Sequence, residues 1–415
     1  MKALEFAAVS GILGAGALIG LMACADSGSS SPLETSDDGG AIIPALDASS
    51  DTDVEDILDG AADAAADVDA GSPICSIDGF CHSVVPKGQD LRGVWGDGQG
   101  TVWAVSVQGA ILRWDGAAWQ FQEQGVGDCI GIWGSGPRDV WVVTTTAVLR
   151  GQGPSSEELV FSPVSDLPGD SSIPIMSIWG TGPSDIWAVG GREIFDRFPP
   201  TQAGRVLHFG GDAAAGGTGW AVDEELSSQA VSYRAVWGSA VSGTWVDGRE
   251  TRRPGGYFAR VLRRSPGATG WTSIALPDDP SGGSLPFARP MTAANVSPDL
   301  GVMLRASNSD AQLIWRGRSS DSGASFSWTV DRRPGPGAHL RATHAFWGSA
   351  ANDMWAVGAW GNVSHWDGTQ WQQANIRVTS APVGKTFWAI WGNSSDDFWI
   401  VGDEIALHKT TAGRP

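Results

Sequence analysis

The chain has 415 residues, and 27 Lys and Arg against 46 Asp and Glu give it a formal net charge of −19. This charge argues against a protein that binds nucleic acid through its phosphates, because such proteins need strongly basic surfaces. With 57 Gly, 22 Trp and only 18% charged residues, the composition differs from that of helix-rich proteins, in which Ala, Leu, Glu and Lys dominate. The composition therefore predicts an all-β protein.

The first 24 residues have the pattern of a secretory signal peptide. Lys2 is followed by an apolar stretch, 6–22, that is rich in Gly and Ala and ends just before Cys24. The segment Leu-Met-Ala-Cys at 21–24 resembles the bacterial lipobox, which implies cleavage before Cys24 and lipidation of that Cys. The alternatives are a signal peptide that is cleaved without lipidation and a transmembrane anchor. In lipoproteins of this kind, a residue other than Asp after the Cys, here Ala25, implies anchoring in the outer rather than the inner membrane of the cell envelope.

Residues 25–74 have a different composition from the rest of the chain. They are mainly Ser, Asp, Gly and Ala, with thirteen acidic residues and no basic or aromatic residue. Such a segment cannot bury enough apolar surface to fold, so we expect a disordered acidic linker between the membrane and a folded domain. The remaining residues, 75–415, carry a net charge of only −6.

Trp residues recur in pairs that are eight positions apart. Each pair begins with Trp-Gly, and its fullest copies, 132–141 and 178–187, enclose a Gly-Pro-x-Asp segment. Apolar β-formers on both sides of a turn-forming segment predict an antiparallel hairpin. The six pairs are Trp95/Trp103, Trp133/Trp141, Trp179/Trp187, Trp237/Trp245, Trp347/Trp355 and Trp391/Trp399.

Two further strand-like segments joined by Asp-Gly follow the hairpin in the clearest repeats, 110–122 and 363–371. Four strands per repeat predict one blade of a β-propeller, with the Trp side chains between blades. Trp237 and Trp347 are about two repeats apart, so a seventh, degenerate copy is expected between them. We therefore predict an all-β, seven-bladed β-propeller with four-stranded antiparallel blades over residues 75–415.

The last predicted blade lacks one strand, because the chain ends soon after the third. A strand-like run near 79–86, just before the first Trp-Gly, has no place in the first blade. We expect this run to complete the last blade and so close the ring.

The fullest repeat, Val/Ile-Trp-Gly-Ser-Gly-Pro-x-Asp-Val-Trp followed by His/Arg-Trp-Asp-Gly, resembles the Trp-rich propeller repeats of bacterial surface lipoproteins. The resemblance covers residues 79–415 and implies the architecture, with almost no information on activity. Within the degenerate copy, the segment 319–326 is similar to the Asp-box of sialidases, with Phe326 where Trp is usual. Its other matching residues are Ser319, Asp321 and Gly323. An Asp-box is a folding turn, so we expect a structural role.

Three Cys residues remain after Cys24. Cys75 and Cys81 flank an Asp-Gly turn signal, and an exported chain meets an oxidising environment, so we expect them to form a disulfide. Cys129 is left over, and its apolar neighbours predict a small buried residue at the start of the second blade.

Two classes of function are compatible with this sequence. The first is a non-catalytic binding or scaffolding propeller that is anchored to the membrane by lipid and contacts an unidentified protein or glycan. The alternative is a degenerate sialidase-like glycan hydrolase or a glycan-binding propeller. A sialidase-like site needs a Tyr nucleophile supported by carboxylates and an Arg cluster, and only Tyr233 and Tyr257 exist. No motif predicts a catalytic residue, a metal site or a cofactor.

A cluster of basic residues is the one candidate ligand surface. Six Arg residues lie within sixteen positions of an otherwise acidic chain, in a lengthened repeat. One hypothesis is an anionic-ligand patch, since guanidinium groups bind phosphates and carboxylates in bidentate fashion. The alternative is a solvated strand edge. The residues are Arg249, Arg252, Arg253, Arg260, Arg263 and Arg264.

Overall fold

The structure is a computed structural model that describes residues 74–195, 200–212, 219–251, 257–277, 291–307, 312–331 and 343–411. In these parts of the chain, 28 strands alternate with turns, and the one helix, α1, is a single turn at Glu224–Ser227. The strands are β1 (Phe80–Ser83), β2 (Leu91–Gly96), β3 (Val102–Ser106), β4 (Ala110–Trp114), β5 (Trp119–Gln124), β6 (Cys129–Gly136), β7 (Asp139–Thr144), β8 (Val148–Gln152), β9 (Val160–Pro163), β10 (Ile175–Gly182), β11 (Asp185–Ile194), β12 (Thr201–Phe209), β13 (Trp220–Val222), β14 (Val231–Ser239), β15 (Gly243–Thr251), β16 (Tyr257–Arg264), β17 (Thr272–Ser273), β18 (Met291–Val296), β19 (Gly301–Ser307), β20 (Gln312–Arg318), β21 (Ser327–Asp331), β22 (Thr343–Ala350), β23 (Asp353–Gly358), β24 (Val363–Trp366), β25 (Trp371–Gln373), β26 (Phe387–Ser394), β27 (Asp397–Gly402) and β28 (Ile405–Thr410).

The described strands form seven sheets of four antiparallel strands each. In blades 1 to 6 the four strands follow one another in the chain, from β2–β5 in blade 1 to β22–β25 in blade 6. The first strand of every blade contacts the first strands of both neighbouring blades, including β26 with β2, so the sheets form a closed ring. The predicted seven-bladed β-propeller with four-stranded antiparallel blades is confirmed.

Blade 7 is built from both ends of the described chain, in the order β26, β27, β28, β1. Strand β1 pairs antiparallel with β28, from Phe80 opposite Lys409 to Ser83 opposite Ala406. The Phe80 ring is fully buried and lies edge-on to the rings of Trp355 and Phe398. The fourth strand of this blade therefore comes from the run near 79–86 and joins the N-terminal part of the ring to its C-terminal part.

The Trp-Gly pairs form the contacts between neighbouring blades. The two Trp residues of a pair lie opposite each other in one hairpin, as Trp95 and Trp103 do. The first Trp then packs onto the Gly of the next blade, where a Cβ atom would meet the indole ring at 2.5 to 3.0 Å. These contacts are Trp95 with Gly134, Trp133 with Gly180, Trp179 with Gly238, Trp347 with Gly392, and Trp391 with Gly96.

Blade 5 departs from this arrangement, as its degenerate sequence predicted. Asn295 and Met303 take the places of the two Trp residues, and Val296 takes the place of the Gly. In blade 6, the space beside Gly348 is filled by the Met354 sulfur of the same blade instead of a Trp ring. The two joints that involve blade 5 are therefore packed differently from the other five.

Candidate functional site at the mouth of the central channel

The two ends of the ring differ in the length of their connections. At one end, short turns join the first strand of each blade to the second, for example Pro137–Arg138 between β6 and β7. At the other end, where the first strands begin, the second and third strands of blades 3 and 4 extend into long hairpins. Strand β11 has ten residues, whereas its counterpart β3 has five. We call this second end the channel mouth.

All seven first strands carry a β-bulge at the same position near the channel mouth. In β2, for example, Leu91 and Gly93 pair with consecutive residues of β3, so Arg92 is the extra residue. A bulge of this kind redirects the side chain that it carries. The seven bulged residues are Arg92, Ile130, Met176, Arg234, Thr292, His344 and Trp388.

The residue after each bulge is always small. These residues are Gly93, Gly131, Ser177, Ala235, Ala293, Ala345 and Ala389. Seven strands can approach one axis closely at this level only if their side chains occupy little volume. Because the residues after the bulges are small, the larger polar and aromatic side chains at the channel mouth are those of the bulged residues.

Three bulged residues from neighbouring blades stack on one another. The Arg92 guanidinium lies 4.3 Å from the centroid of the Trp388 ring, and the His344 ring stacks on the same indole at 4.2 Å. Asp403 fixes this stack, because its Oδ1 accepts hydrogen bonds from Arg92 Nη1 at 2.7 Å and from Trp388 Nε1 at 2.8 Å. The result is a preorganised cation–aromatic platform that is half-buried in the mouth.

The electrostatics of this platform follow from burial and from its Arg residues. Burial, helped by the charges of Arg305 and Arg92, lowers the pKa of His344, so the imidazole is neutral at pH 7. Burial raises the pKa of Asp403, but the hydrogen bonds from Arg92 and Trp388 outweigh it and leave the pKa below its usual value. The Asp403 carboxylate is therefore ionised and already bound.

Arg234 is the second cation among the bulged residues. Its side chain is exposed, and among the described residues it has no hydrogen bond or ion pair. Two extended hairpins flank it, and they are joined by an ion pair between Glu193 of β11 and Arg249 of β15. A free guanidinium in a mouth with preformed walls can bind a carboxylate or phosphate from outside the chain.

Large apolar side chains are also exposed at this end of the ring. Trp360 lies in the turn between β23 and β24 with 77% of its surface exposed and a φ of 55°. A left-handed backbone conformation is costly for a bulky residue, and such strain clusters at functional sites. Phe195, after β11, and Val84, before β2, are exposed by 78% and 85% at the same end.

The described Arg residues of the predicted patch do not lie together on one surface. Arg249 pairs with Ala259 at the mouth end of β16, whereas Arg264 lies five residues further along, about 16 Å away. Arg263 is only 5% exposed. Arg260 lies between these ends and is half-buried. Arg252 and Arg253 lie outside the described residues.

Arg263 connects blade 4 to the Asp-box-like turn of blade 5. Its Nε donates to Ser242 O at 2.7 Å, and its Nη1 donates to Gly323 O. In that turn, between β20 and β21, Gly323 N donates to Ser319 Oγ at 2.7 Å and Ser325 N donates to Asp321 Oδ1 at 2.9 Å. The Phe326 ring packs edge-on to Trp245. The contacts of Ser319, Asp321, Gly323 and Phe326 are those of a folding turn.

Three His residues on the third strands of their blades belong to a repeated structural unit. The His208 ring stacks on Trp187 at 4.3 Å, and its Nε2 is 2.8 Å from Asp185 Oδ1. A cationic or imidazole side chain bound to an Asp and stacked on a Trp thus stabilises several hairpins. Equivalent sets are His365, Asp353 and Trp355; His408, Asp397 and Trp399; and Arg150, Asp139 and Trp141.

Tyr233 does not offer the nucleophile of a sialidase-like site. The Tyr233 hydroxyl is buried and donates to Leu226 O at 3.1 Å, and burial raises its pKa well above the usual value. Tyr257 begins β16, and its side chain lies outside the described residues. In the described parts of the chain, no three His, Cys, Asp or Glu side chains lie close enough together to bind a metal ion.

The Cys residues that the structure describes lie where the sequence placed them. Cys75 and Cys81 form the predicted disulfide next to β1. Cys129 is fully buried at the start of β6, and burial, with a smaller effect from Asp128, raises its thiol pKa to about 12. Cys24, the signal peptide 1–24 and nearly all of the linker 25–74 lie outside the described residues. In the part of the chain that the structure describes, no helix is long and apolar enough to cross a membrane.

Two buried ionisable residues on the second strands of blades 4 and 5 escaped the sequence analysis. The position opposite the small residue after each bulge is a buried Val in five blades, but it is Asp247 in blade 4 and Arg305 in blade 5. Aligning the repeats by this register would have found both, because Trp-x-Val becomes Trp-Val-Asp at 245–247 and Met-Leu-Arg at 303–305.

Comparison with known proteins identifies the fold but not a family. No family model and no curated protein matches the chain. Among solved structures, YCF48 bound to D1 peptide is 15% identical, with a TM-score of 0.53 over 82% of this chain and 99% of that one. YCF48 from Cyanidioschyzon merolae is 14% identical, with a TM-score of 0.54 over 80% and 99% of the two chains. Virginiamycin B lyase from Staphylococcus aureus is 13% identical, with a TM-score of 0.54 over 79% and 96%.

These similarities establish the propeller fold alone, because the identities are low. One of the similar structures has a bound peptide and another is an enzyme, so the shared fold does not by itself decide between binding and catalysis. The residues at the channel mouth therefore carry the information on function.

Proposed function

We propose that this chain is a lipid-anchored protein of the bacterial cell envelope whose propeller is a non-catalytic module that binds a segment of a protein partner at the channel mouth. The platform of Arg92, Trp388 and His344 carries this proposal. Its aromatic ring and cation are held in place before any ligand binds, which reduces the entropy lost on binding.

The surroundings of the platform favour a protein segment as the ligand. Exposed Trp360 and Phe195 supply apolar area on the same end of the ring, and aromatic residues dominate protein interfaces. Free Arg234 adds a site for an acidic side chain or a chain terminus. The solved structure of YCF48 with a bound peptide supports the idea that this fold can serve such a purpose.

A hydrolase is less well supported by the same residues. Glycoside hydrolysis needs two carboxylates on either side of the bond, or a Tyr nucleophile with supporting carboxylates. At the described mouth, Asp403 is held by Arg92 and Trp388, and Glu193 is held by Arg249. Neither is placed to transfer a proton to a ligand.

Site-specific photo-crosslinking tests the binding function. A photo-reactive amino acid at position 360, in the mouth, should give a defined protein adduct in intact envelopes. The same group at position 121, an exposed Phe on the outer strand β5, is the matched control. A defined adduct at 360 that disappears in a Trp388→Ala, Arg234→Ala background supports the proposal. Equal adducts at both positions, or none at 360, would contradict it.

Fractionation tests the anchor separately. The resemblance at 21–24 and the acidic linker 25–74 support a lipid anchor that holds the propeller away from the membrane. Cys24→Ser should move the protein from the membrane fraction to the soluble fraction, because acyl chains contribute about 0.8 kcal/mol per buried CH₂. Retention of Cys24→Ser in the membrane fraction would place the anchor elsewhere. The resemblance of the Trp-Gly repeats over 79–415 supports the proposal that the chain belongs to the Trp-rich surface lipoproteins.

A further inference from the structure

The joint between blades 4 and 5 is packed less closely than the others. The first strands of these blades, β14 and β18, contact each other over a shorter length than the first strands at any other joint of the described ring. The Trp-Gly contact is also missing there, because Val296 takes the place of the Gly in blade 5. Trp237 and Val296 belong to the same apolar cluster. Both observations distinguish the inner part of this joint from the same part of the other joints in the described ring.

A buried carboxyl group lies in this joint. Asp247 is 1% exposed and occupies a position that is a buried Val in five other blades. It shares a face of blade 4 with Trp245 and Val261, and these two side chains pack against Leu304 and Val296 of blade 5. The carboxyl group therefore replaces a methyl-bearing side chain against an apolar wall.

The hydrogen bonds of Asp247 are incomplete. Its Oδ2 accepts from Trp237 Nε1 at 3.3 Å, whereas its Oδ1 is buried and has no partner in the described part of the chain. An ionised carboxylate that keeps one oxygen unpaired in an apolar site is strongly unfavourable, but a protonated one is tolerated.

The charged groups around Asp247 do not compensate for this burial. The charge of Arg234 on β14 lowers the pKa of the Asp247 carboxyl. The residue opposite Asp247 on β16 is the uncharged Val261. Across the joint, Arg305 of β19 donates to Thr343 O of blade 6, on the far side of blade 5. Burial is the dominant effect and raises the pKa of Asp247 to about 7, although Trp237 and Arg234 oppose it.

We propose that the joint between blades 4 and 5 is a proton-controlled seam, which is closed when Asp247 is protonated and loosens when Asp247 is ionised. This goes beyond the binding function and does not depend on it. The seam bears on the mouth nevertheless, because Arg234 and the extended hairpin β15–β16 belong to blade 4 and move with it.

The direction of the pH effect follows from the two states of Asp247. In the opened seam the exposed carboxyl group has an ordinary pKa near 4, whereas in the closed seam it is about 7. The closed state therefore binds the proton more tightly. The opening equilibrium should increase by roughly tenfold per pH unit between about pH 4 and pH 7, and should change little above pH 7.

Hydrogen exchange of the full chain at pH 5 and pH 7 tests the seam. After correction for intrinsic exchange rates, amides of β14 and β18 should lose roughly 50-fold in protection from pH 5 to pH 7, relative to those of β2 and β6 at the joint of blades 1 and 2. Asp247→Val, which restores the residue of the other blades, should abolish this difference. Asp247→Asn, which keeps an acceptor for Trp237, should abolish it as well.

An unrelated carboxylate provides the matched control. Asp367, in an exposed turn of blade 6, has a pKa held below its usual value by hydrogen bonds from Thr369 and Gln370. Asp367→Asn should therefore leave the pH dependence at β14 and β18 as it is in the unmodified chain. Uniform protection at all joints at both pH values, or a pH dependence that persists in Asp247→Val, would overturn the proposal.

Discussion

The indole of Trp95 lies so close to Gly134 of the next blade that a Cβ atom at position 134 would be 2.5 Å from the ring. A real Cβ atom cannot occupy that space unless the ring or the strand moves. In five of the six Trp-Gly pairs, the Gly thus leaves room for the Trp of the preceding blade. The motif therefore records a contact between repeats as well as the close approach of the two strands within one hairpin.

Gly134→Ala should therefore destabilise the propeller. Overpacking a well-filled interface costs about 1–3 kcal/mol, which should lower the thermal unfolding midpoint by several degrees. Gly136→Ala is the matched control, because it lies in the same strand and a Cβ there would meet nothing within 4 Å. Calorimetry of both variants would contradict this packing if the two midpoints fell equally.

The buried thiol of Cys129 should be unreactive in the folded chain. Burial raises its pKa to about 12, and only the thiolate reacts rapidly with alkylating reagents. At pH 8, iodoacetamide should label Cys129 in the urea-unfolded protein and leave it unmodified in the native protein, as judged by peptide mass. Rapid labelling of the native chain would show that β6 is more accessible than the structure indicates.

Arg263 should contribute to stability and not to ligand binding. Its guanidinium is buried between blades 4 and 5 and donates to Ser242 O and Gly323 O. Arg263→Ala should cost about 2–3 kcal/mol, the usual effect of losing hydrogen bonds from a charged group. Arg138→Ala, at an exposed turn, should stay within about 0.5 kcal/mol of the unmodified protein in urea denaturation. An Arg263→Ala variant of unchanged stability would contradict this role.

The fold could be predicted because its repeat is local in the sequence. Trp133 and Trp141 lie on the two strands of one hairpin, so their spacing is fixed by a short turn, and counting such pairs gave six of the seven blades. The strand near Phe80 could be assigned to blade 7 because one edge of that blade was unpaired.

The channel mouth could not be predicted in the same way. Arg92, His344 and Trp388 are far apart in the sequence and meet only because each occupies the bulge of its own blade. Conversely, Arg249 and Arg264 are close in the sequence, but a hairpin that runs from one end of the ring to the other separates them. Arg residues that are spread along an extended strand such as β16 lie far apart even when they are close in the sequence.

The pair of Asp185 and His208 should contribute a pH-dependent part of the stability. The hydrogen bond from His208 is the main cause that lowers the pKa of Asp185 to about 2, against the effect of its burial, with help from Thr181 and Trp187. A carboxyl group with a depressed pKa stabilises the fold above its unfolded pKa of about 3.9, and this stabilisation is lost as the pH falls towards 2. The Asp185 side chain is 40% exposed, so solvent screening limits the effect to about 1 kcal/mol.

Asp185→Asn should therefore lower the urea midpoint at pH 7, and its difference from the unmodified protein should shrink between pH 4 and pH 3. Asp396→Asn, an exposed turn residue of blade 7, is the control and should differ little at any pH. If the Asp185→Asn difference stayed constant down to pH 3, the contribution of Asp185 would come from its shape and not from its charge.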